Sequence, residues 1–78
     1  MPTFYFHIKD GYSKPDTEGT ELPSIAAART EAVRLAAGIL QDQPEELWHG
    51  TPWLLTVTDA QDKDLFRLCF SAEILEAA

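Results

Sequence analysis

"SIAAARTEAVRLAAGILQ", residues 24–41, is the stretch that decides the fold. Laid out at about 100° per residue, Ile25, Ala28, Ala32, Leu35, Ala36 and Ile39 fall on one arc. Thr30, Arg34, Gly38 and Gln41 fall opposite. That pattern is an amphipathic helix. Ser24 is placed to cap it by accepting a bond from an orphan N–H of the first turn, and Pro23 marks the boundary. Much of the apolar arc is alanine, so the helix can approach a sheet closely. Gly38 lies on the exposed side and costs about 1 kcal/mol relative to alanine.

The segments on either side alternate with a period of two. In "TFYFHIK", residues 3–9, Phe4, Phe6 and Ile8 point one way and Tyr5, His7 and Lys9 the other. "WLLTVTD" places Trp53, Leu55 and Val57 on one face, and "LFRLCF" does the same with Phe66, Leu68 and Phe70. The link "DAQDKD" has hairpin length, so the last two strands are antiparallel neighbours. "DGYSKPD" carries turn signals, and a short strand at residues 19–22 is left open. "DQPEELWHGTP" reads as a loop with one helical turn at Pro44 to Leu47. "SAEILEAA" reads as a short terminal helix capped by Ser71.

One helix covering one face of an antiparallel sheet is an α+β arrangement. The expectation is a single small domain over residues 1–78, ordered β-(β)-α-β-β plus a short C-terminal helix. The sheet has three or four strands, and the long helix packs on one face. The core holds Phe4, Phe6, Ile8, Trp53, Leu55, Val57, Phe66, Leu68 and Phe70.

Charge narrows function. The formal net charge of −7 opposes general binding to nucleic-acid backbones, which needs clustered Lys and Arg. It also opposes an anionic membrane surface. The single cysteine, Cys69, leaves no internal disulfide and no Cys-based zinc site within one chain. Without a secretory leader pattern or a transmembrane-length apolar run, the expected location is cytoplasmic.

"FYFHIKDG", "PDTEGTELPS", "AARTEA", "WLLTVTD" and "LCFS", in that order, resemble a family of small bacterial domains of unknown function. The resemblance runs through an aromatic N-terminal strand, a D-x-E-G-x-E-L-P-[DS] loop, an A-R-x-E-A helix and a hairpin with W-x-x-x-V-x-D. It covers nearly the whole chain. It implies a fold but no established activity, and it carries over no catalytic residue. The family's hairpin usually reads D-x-D-G, whereas this chain has Asp59-Ala60-Gln61-Asp62. Asp62 is therefore expected to hold a left-handed conformation that glycine would hold more easily.

The residues offer few sites for chemistry. Asp16, Glu18 and Glu21 are neighbouring carboxylates, which an acid/base pair requires. No nucleophile motif, phosphate-binding loop or metal-ligand spacing accompanies them. Asp59, Asp62 and Asp64 fail the EF-hand pattern, because Gln61 stands at the third position and Phe70 where the bidentate Glu belongs. No catalytic residue, metal or cofactor is assigned. Arg29, near the edge of the apolar arc, is expected to pair with Asp16, Glu18 or Asp10 and clamp the loop to the helix. Cys69 reads as a half-buried thiol without a role. Trp48 lies in a loop, either exposed for binding or folded back on the core.

The outer sheet face is the best candidate for function. Tyr5, His7 and Lys9 project there, beside Leu54, Thr56, Thr58, Arg67 and Cys69. The reading favoured is a non-enzymatic interaction or regulatory module, binding a protein partner or another copy of itself through Tyr5, His7, Lys9, Thr56 and Arg67. One alternative is a partner-binding protein like the HicB-type antitoxins, similar only in the order of elements. The other is a small enzyme using the acidic loop 16–21.

Overall fold

The computed structural model describes residues 1–48 and 50–76. Five strands form one antiparallel sheet: β1 (Thr3–Lys9), β2 (Ser13–Lys14), β3 (Thr20–Glu21), β4 (Trp53–Thr58) and β5 (Asp64–Phe70). Helix α1 (Ile25–Asp42) lies between β3 and β4, and Pro44–Trp48 add a 3-10 turn. The α+β class and the antiparallel sheet are as the alternation required.

The sheet runs β2-β1-β4-β5, with β3 also paired to β1. Phe6 faces Val57 and Ile8 faces Leu55; Leu55 in turn faces Leu68. This register aligns the apolar rows of all three long strands on one face. Phe4, Phe6, Trp53, Leu55 and Val57 are buried, while Ile8, Phe66, Leu68 and Phe70 are half-buried at the margins. Trp53 meets the Phe70 ring edge-on at 5.8 Å. Its indole N–H is buried with no partner among the described residues.

Ser24 caps α1 as expected, its Oγ accepting from Ala27 N–H at 3.1 Å. The buried face is narrower than the helical wheel implied. Only Ala28, Ala32 and Ala36 are fully buried, one every fourth residue. Ile25 and Leu35, assigned to the same arc, are exposed. Methyl-sized side chains let the helix sit low on β4, so its flanks remain in water. A Cβ on Gly38 would meet nothing within 4 Å. Gly38→Ala is therefore expected to stabilise the protein by about 0.5–1 kcal/mol, read as a raised midpoint in urea denaturation.

Three expectations need correction. The strand left open at residues 19–22 exists as β3, and β2 adds a further pairing, so there are five strands rather than three or four. Residues 71–76 carry no helix. Ile74 and Leu75 are 78% and 86% exposed, so no apolar surface is gained by coiling, and an unsupported helix this short is marginal in water. Arg29 is exposed on α1 and forms no ion pair or hydrogen bond among the described residues. Two of the three acids expected to hold it, Asp10 and Asp16, are otherwise engaged, as described below. Among the described residues no helix is long and apolar enough to cross a membrane.

Candidate functional site

The loop between β2 and β3 builds the site. From Ile8↔Lys14 to Phe4↔Thr20, four steps along β1 correspond to six along the loop chain. The loop therefore bulges, and Asp16 stitches it to the strand. Its Oδ2 accepts from Phe6 N–H at 3.1 Å, replacing the missing strand partner. Its Oδ1 accepts from Glu18 N–H at 3.0 Å and Gly19 N–H at 3.1 Å, an Asx turn. Burial alone would raise the Asp16 pKa. The Gly19, Phe6 and Glu18 amides outweigh it, and with the nearby His7 they hold the carboxyl below its ordinary value of 3.8.

His7 extends this chain of bonds across the sheet. Asp16 N–H donates to His7 Nδ1 at 3.0 Å. In the neutral ring the proton then lies on Nε2, which donates to Thr58 Oγ1 at 2.9 Å. Tyr5 stacks beside His7, with ring centroids 6.4 Å apart and planes within 10°. Gly19 closes over Tyr5: a Cβ there would lie 2.8 Å from the Tyr5 ring.

These groups enclose a hollow of about 180 Å³. Tyr5 and His7 come from β1, Asp16 from the loop and Thr58 from β4. Asp59, Ala60 and Asp62 come from the β4–β5 turn. Asp59 Oδ1 is fixed by the Gln61 and Lys63 N–H groups, both at 2.9 Å. Asp62 holds φ 65°, the left-handed conformation expected of it. A second depression, about 520 Å³ but wide open, lies on the helix against Arg29, Thr30, Val33 and Arg34. No carboxylate lines it, and the Thr30 hydroxyl donates to Ala26 C=O at 3.3 Å.

The predicted surface residues thus separate into two groups. Tyr5 and His7 line the hollow. Lys9 is exposed farther along β1, and Arg67 lies flat across the sheet, its Nε donating to Thr56 Oγ1 at 2.9 Å. Arg67 also comes within 3.8 Å of Asp64. Cys69 is exposed rather than half-buried, and Trp48 is exposed. His49 lies outside the described residues. The expected Arg29 clamp fails because Asp16 serves backbone amides instead. Asp10 is buried and bridged by Lys14 at 3.1 Å, and Glu18 contributes to the loop only through its backbone. Burial would raise the Asp10 pKa, but the hydrogen bonds from Lys14 and Tyr12 N–H, with the Lys14 charge, bring it down.

The contribution of the β4–β5 turn to this site was missed. The failed EF-hand pattern gives Asp59 and Asp62 no role, although Asp62 in a position suited to glycine is a usable signal. Among the described residues no group of three or more His, Cys, Asp and Glu side chains is arranged to hold a metal ion.

Fold and site together define a small one-helix α+β domain whose open sheet face is roofed by an aspartate-pinned loop. Residues 3–71 match the family described as "Domain of unknown function (DUF6894)", and the chain belongs to that family. No curated protein and no solved structure matches the chain significantly.

Proposed function

We propose that the protein is a non-enzymatic binding module whose hollow receives a cationic side chain, an ammonium or guanidinium, from a protein partner. The observation that carries this reading is the lining. It has three carboxylates and one phenol ring, and no Lys or Arg among the described residues. Carboxylates supply charge-assisted hydrogen bonds, and an aromatic ring adds cation–π attraction. A volume near 180 Å³ suits a side-chain head group and falls below the ~300–1,000 Å³ of a small-molecule site. The net charge of −7 steers a basic partner toward the protein.

The same geometry weighs against an enzyme. A general acid or base works best with a pKa near the working pH. Asp16 is shifted the opposite way, and its oxygens already serve three amides. Glu18 and Glu21 do not line the hollow.

The test is chemical-shift mapping with short peptides carrying one central Arg or Lys, against a Gln control. Shifts are expected at Tyr5, His7 and Ala60 with the cationic peptides alone. Equal shifts with the Gln peptide, or none, would remove the reading. Asp62 gives a second measurement. Asp62→Gly relieves the left-handed backbone and is expected to stabilise the fold by about 0.5–1 kcal/mol. It also removes one carboxylate and is expected to weaken cation binding about threefold to tenfold. Opposite signs for stability and binding at one residue are what a site that stores strain predicts.

A further inference from the structure

Helix α1 separates its charges. Arg29 and Arg34 bound the wide depression described above, with Thr30 and Val33 between them. At about 100° per residue, Ala26, Val33 and Ala37 fall between the two arginines, and all three are exposed. Glu31 and Asp42, the acids of the helix, fall outside this sector. Neither arginine forms an ion pair or hydrogen bond among the described residues. In a chain with 13 acids and six cations, two guanidiniums beside an apolar strip and without a carboxylate are out of balance. Val33 is 56% exposed, so the strip lacks a cover as well as a counter-charge.

The chain carries the complement elsewhere. Residues 71–76 form neither helix nor strand. In "EILE", residues 73–76, two aliphatic side chains stand between two carboxylates. Leu75 is the most exposed large hydrophobic residue among those described, with Ile74 close behind. Glu73 and Glu76 are exposed and make no ion pair among the described residues. Spacing agrees as well. Arg29 and Arg34 are separated by about 7.5 Å along the helix axis. Three residues of chain span about 5 Å when coiled and about 10 Å when extended, which brackets that rise.

We infer that residues 73–76 of one copy dock on the Arg29–Arg34 flank of α1 in a second copy, and that the exchange is reciprocal. Ile74 and Leu75 cover the Val33 strip. Glu73 and Glu76 meet the two guanidiniums in charge-assisted hydrogen bonds. Each copy holds one segment and one flank, so two copies satisfy both sets and close about a two-fold axis. The joints are small, and the dimer is accordingly weak.

Sedimentation equilibrium on the full chain tests this. The wild type is expected to dimerise with a dissociation constant below about 1 mM, and to loosen as salt rises. Arg29→Glu with Arg34→Glu reverses the flank, and Glu73→Lys with Glu76→Lys reverses the segment. All four sites are exposed, and Glu, Lys and Arg have similar helix propensities. Both variants are therefore expected to keep the wild-type urea midpoint. Each alone is expected to raise the dissociation constant about tenfold. Mixed in equal amounts, the two reversed variants regain opposite charges at both joints. A heterodimer within about threefold of wild-type affinity is expected, which docking within one copy would not produce. Leu75→Ser leaves every charge in place and is expected to weaken the dimer about tenfold through lost apolar contact. A wild type that stays monomeric to about 1 mM overturns the proposal. So does a reversed variant that dimerises as well as the wild type, or a mixture that stays monomeric. None of the substituted residues lines the hollow, so these outcomes are independent of cation binding there.

Discussion

Gly19→Ala is expected to destabilise the protein by about 2–4 kcal/mol, the largest effect of any single methyl group in the chain. Two independent costs meet at this residue. Its φ of 76° lies in the left-handed region, where a Cβ crowds the following carbonyl. The added Cβ would also lie 2.7 Å from Thr3 Cγ2 and 2.8 Å from Tyr5 Cε2, closer than carbon atoms tolerate. Gly11 separates the two terms. Its φ of 100° is equally unfavourable, but a Cβ there meets only Thr51 Oγ1 at 4.0 Å. Gly11→Ala should therefore lose only the backbone term, about 1 kcal/mol. For a domain of this size, with a urea slope near 1 kcal/mol/M, the Gly19 variant should unfold at least about 2 M earlier in urea. Thr3→Ser in the same background removes one clash and should recover only part of the loss. Equal destabilisation by the two glycine variants would show that the close approach over Tyr5 contributes nothing.

Much of the architecture could be read from side-chain period alone. Phe4-Phe6-Ile8, Trp53-Leu55-Val57 and Phe66-Leu68-Phe70 each alternate, and alternation has one structural meaning when a face is buried. Ser24 marked the start of α1 for an equally local reason. β2 and β3 were harder because each is only two residues long. The pairing is sustained across the bulge by a side chain, Asp16, which no backbone propensity encodes. The helical wheel overstated the buried arc of α1 because hydropathy ranks Ile25 and Leu35 above alanine. Packing density decided otherwise, since the close approach of helix to sheet favours the smallest side chains. The terminal helix failed for the converse reason: "SAEILEAA" has a helical period but no surface to cover. The Arg29 clamp follows from a position near the edge of the apolar arc, a poor guide when backbone amides compete for the same carboxylate.

The hollow shows a more general obstacle. Its members lie at positions 5, 7, 16, 58–60 and 62, and only the folded register brings them together. Two local clues were nonetheless present. An Asp followed at the second and third positions by amides it can accept from is the pattern of an Asx turn, and Asp16-Thr17-Glu18-Gly19 has it. Asp62 in a glycine-like turn position marked strain. Together they locate both walls of the hollow, although neither names what it binds.

Asp16→Ala is expected to cost about 2–3 kcal/mol, because it removes the acceptor from three backbone amides at once. Glu18 N–H is exposed and can turn to water. Phe6 N–H and Gly19 N–H are part-buried and cannot do so freely. Asp16→Asn keeps the size, loses the charge and turns one of the two acceptor oxygens into an NH2 donor, much as protonation of the carboxyl turns one into an O–H. The carboxyl has its ordinary value, near 3.8, in the unfolded chain and a lower one when folded. The unfolded state therefore takes up the proton first as pH falls. The stabilisation is fully present above the unfolded value and is lost as pH drops through the folded one. The gap in urea midpoint between wild type and Asp16→Asn should be constant from neutral pH to about pH 5 and should close below about pH 4. Asp10, also lowered, weakens both proteins equally over that range and cancels from the difference. No gap at neutral pH would mean that Asp16 holds the loop by shape alone. The bonds drawn to it from Phe6, Glu18 and Gly19 would then contribute as neutral contacts, and the hollow would lose the fixed negative charge on which cation binding rests.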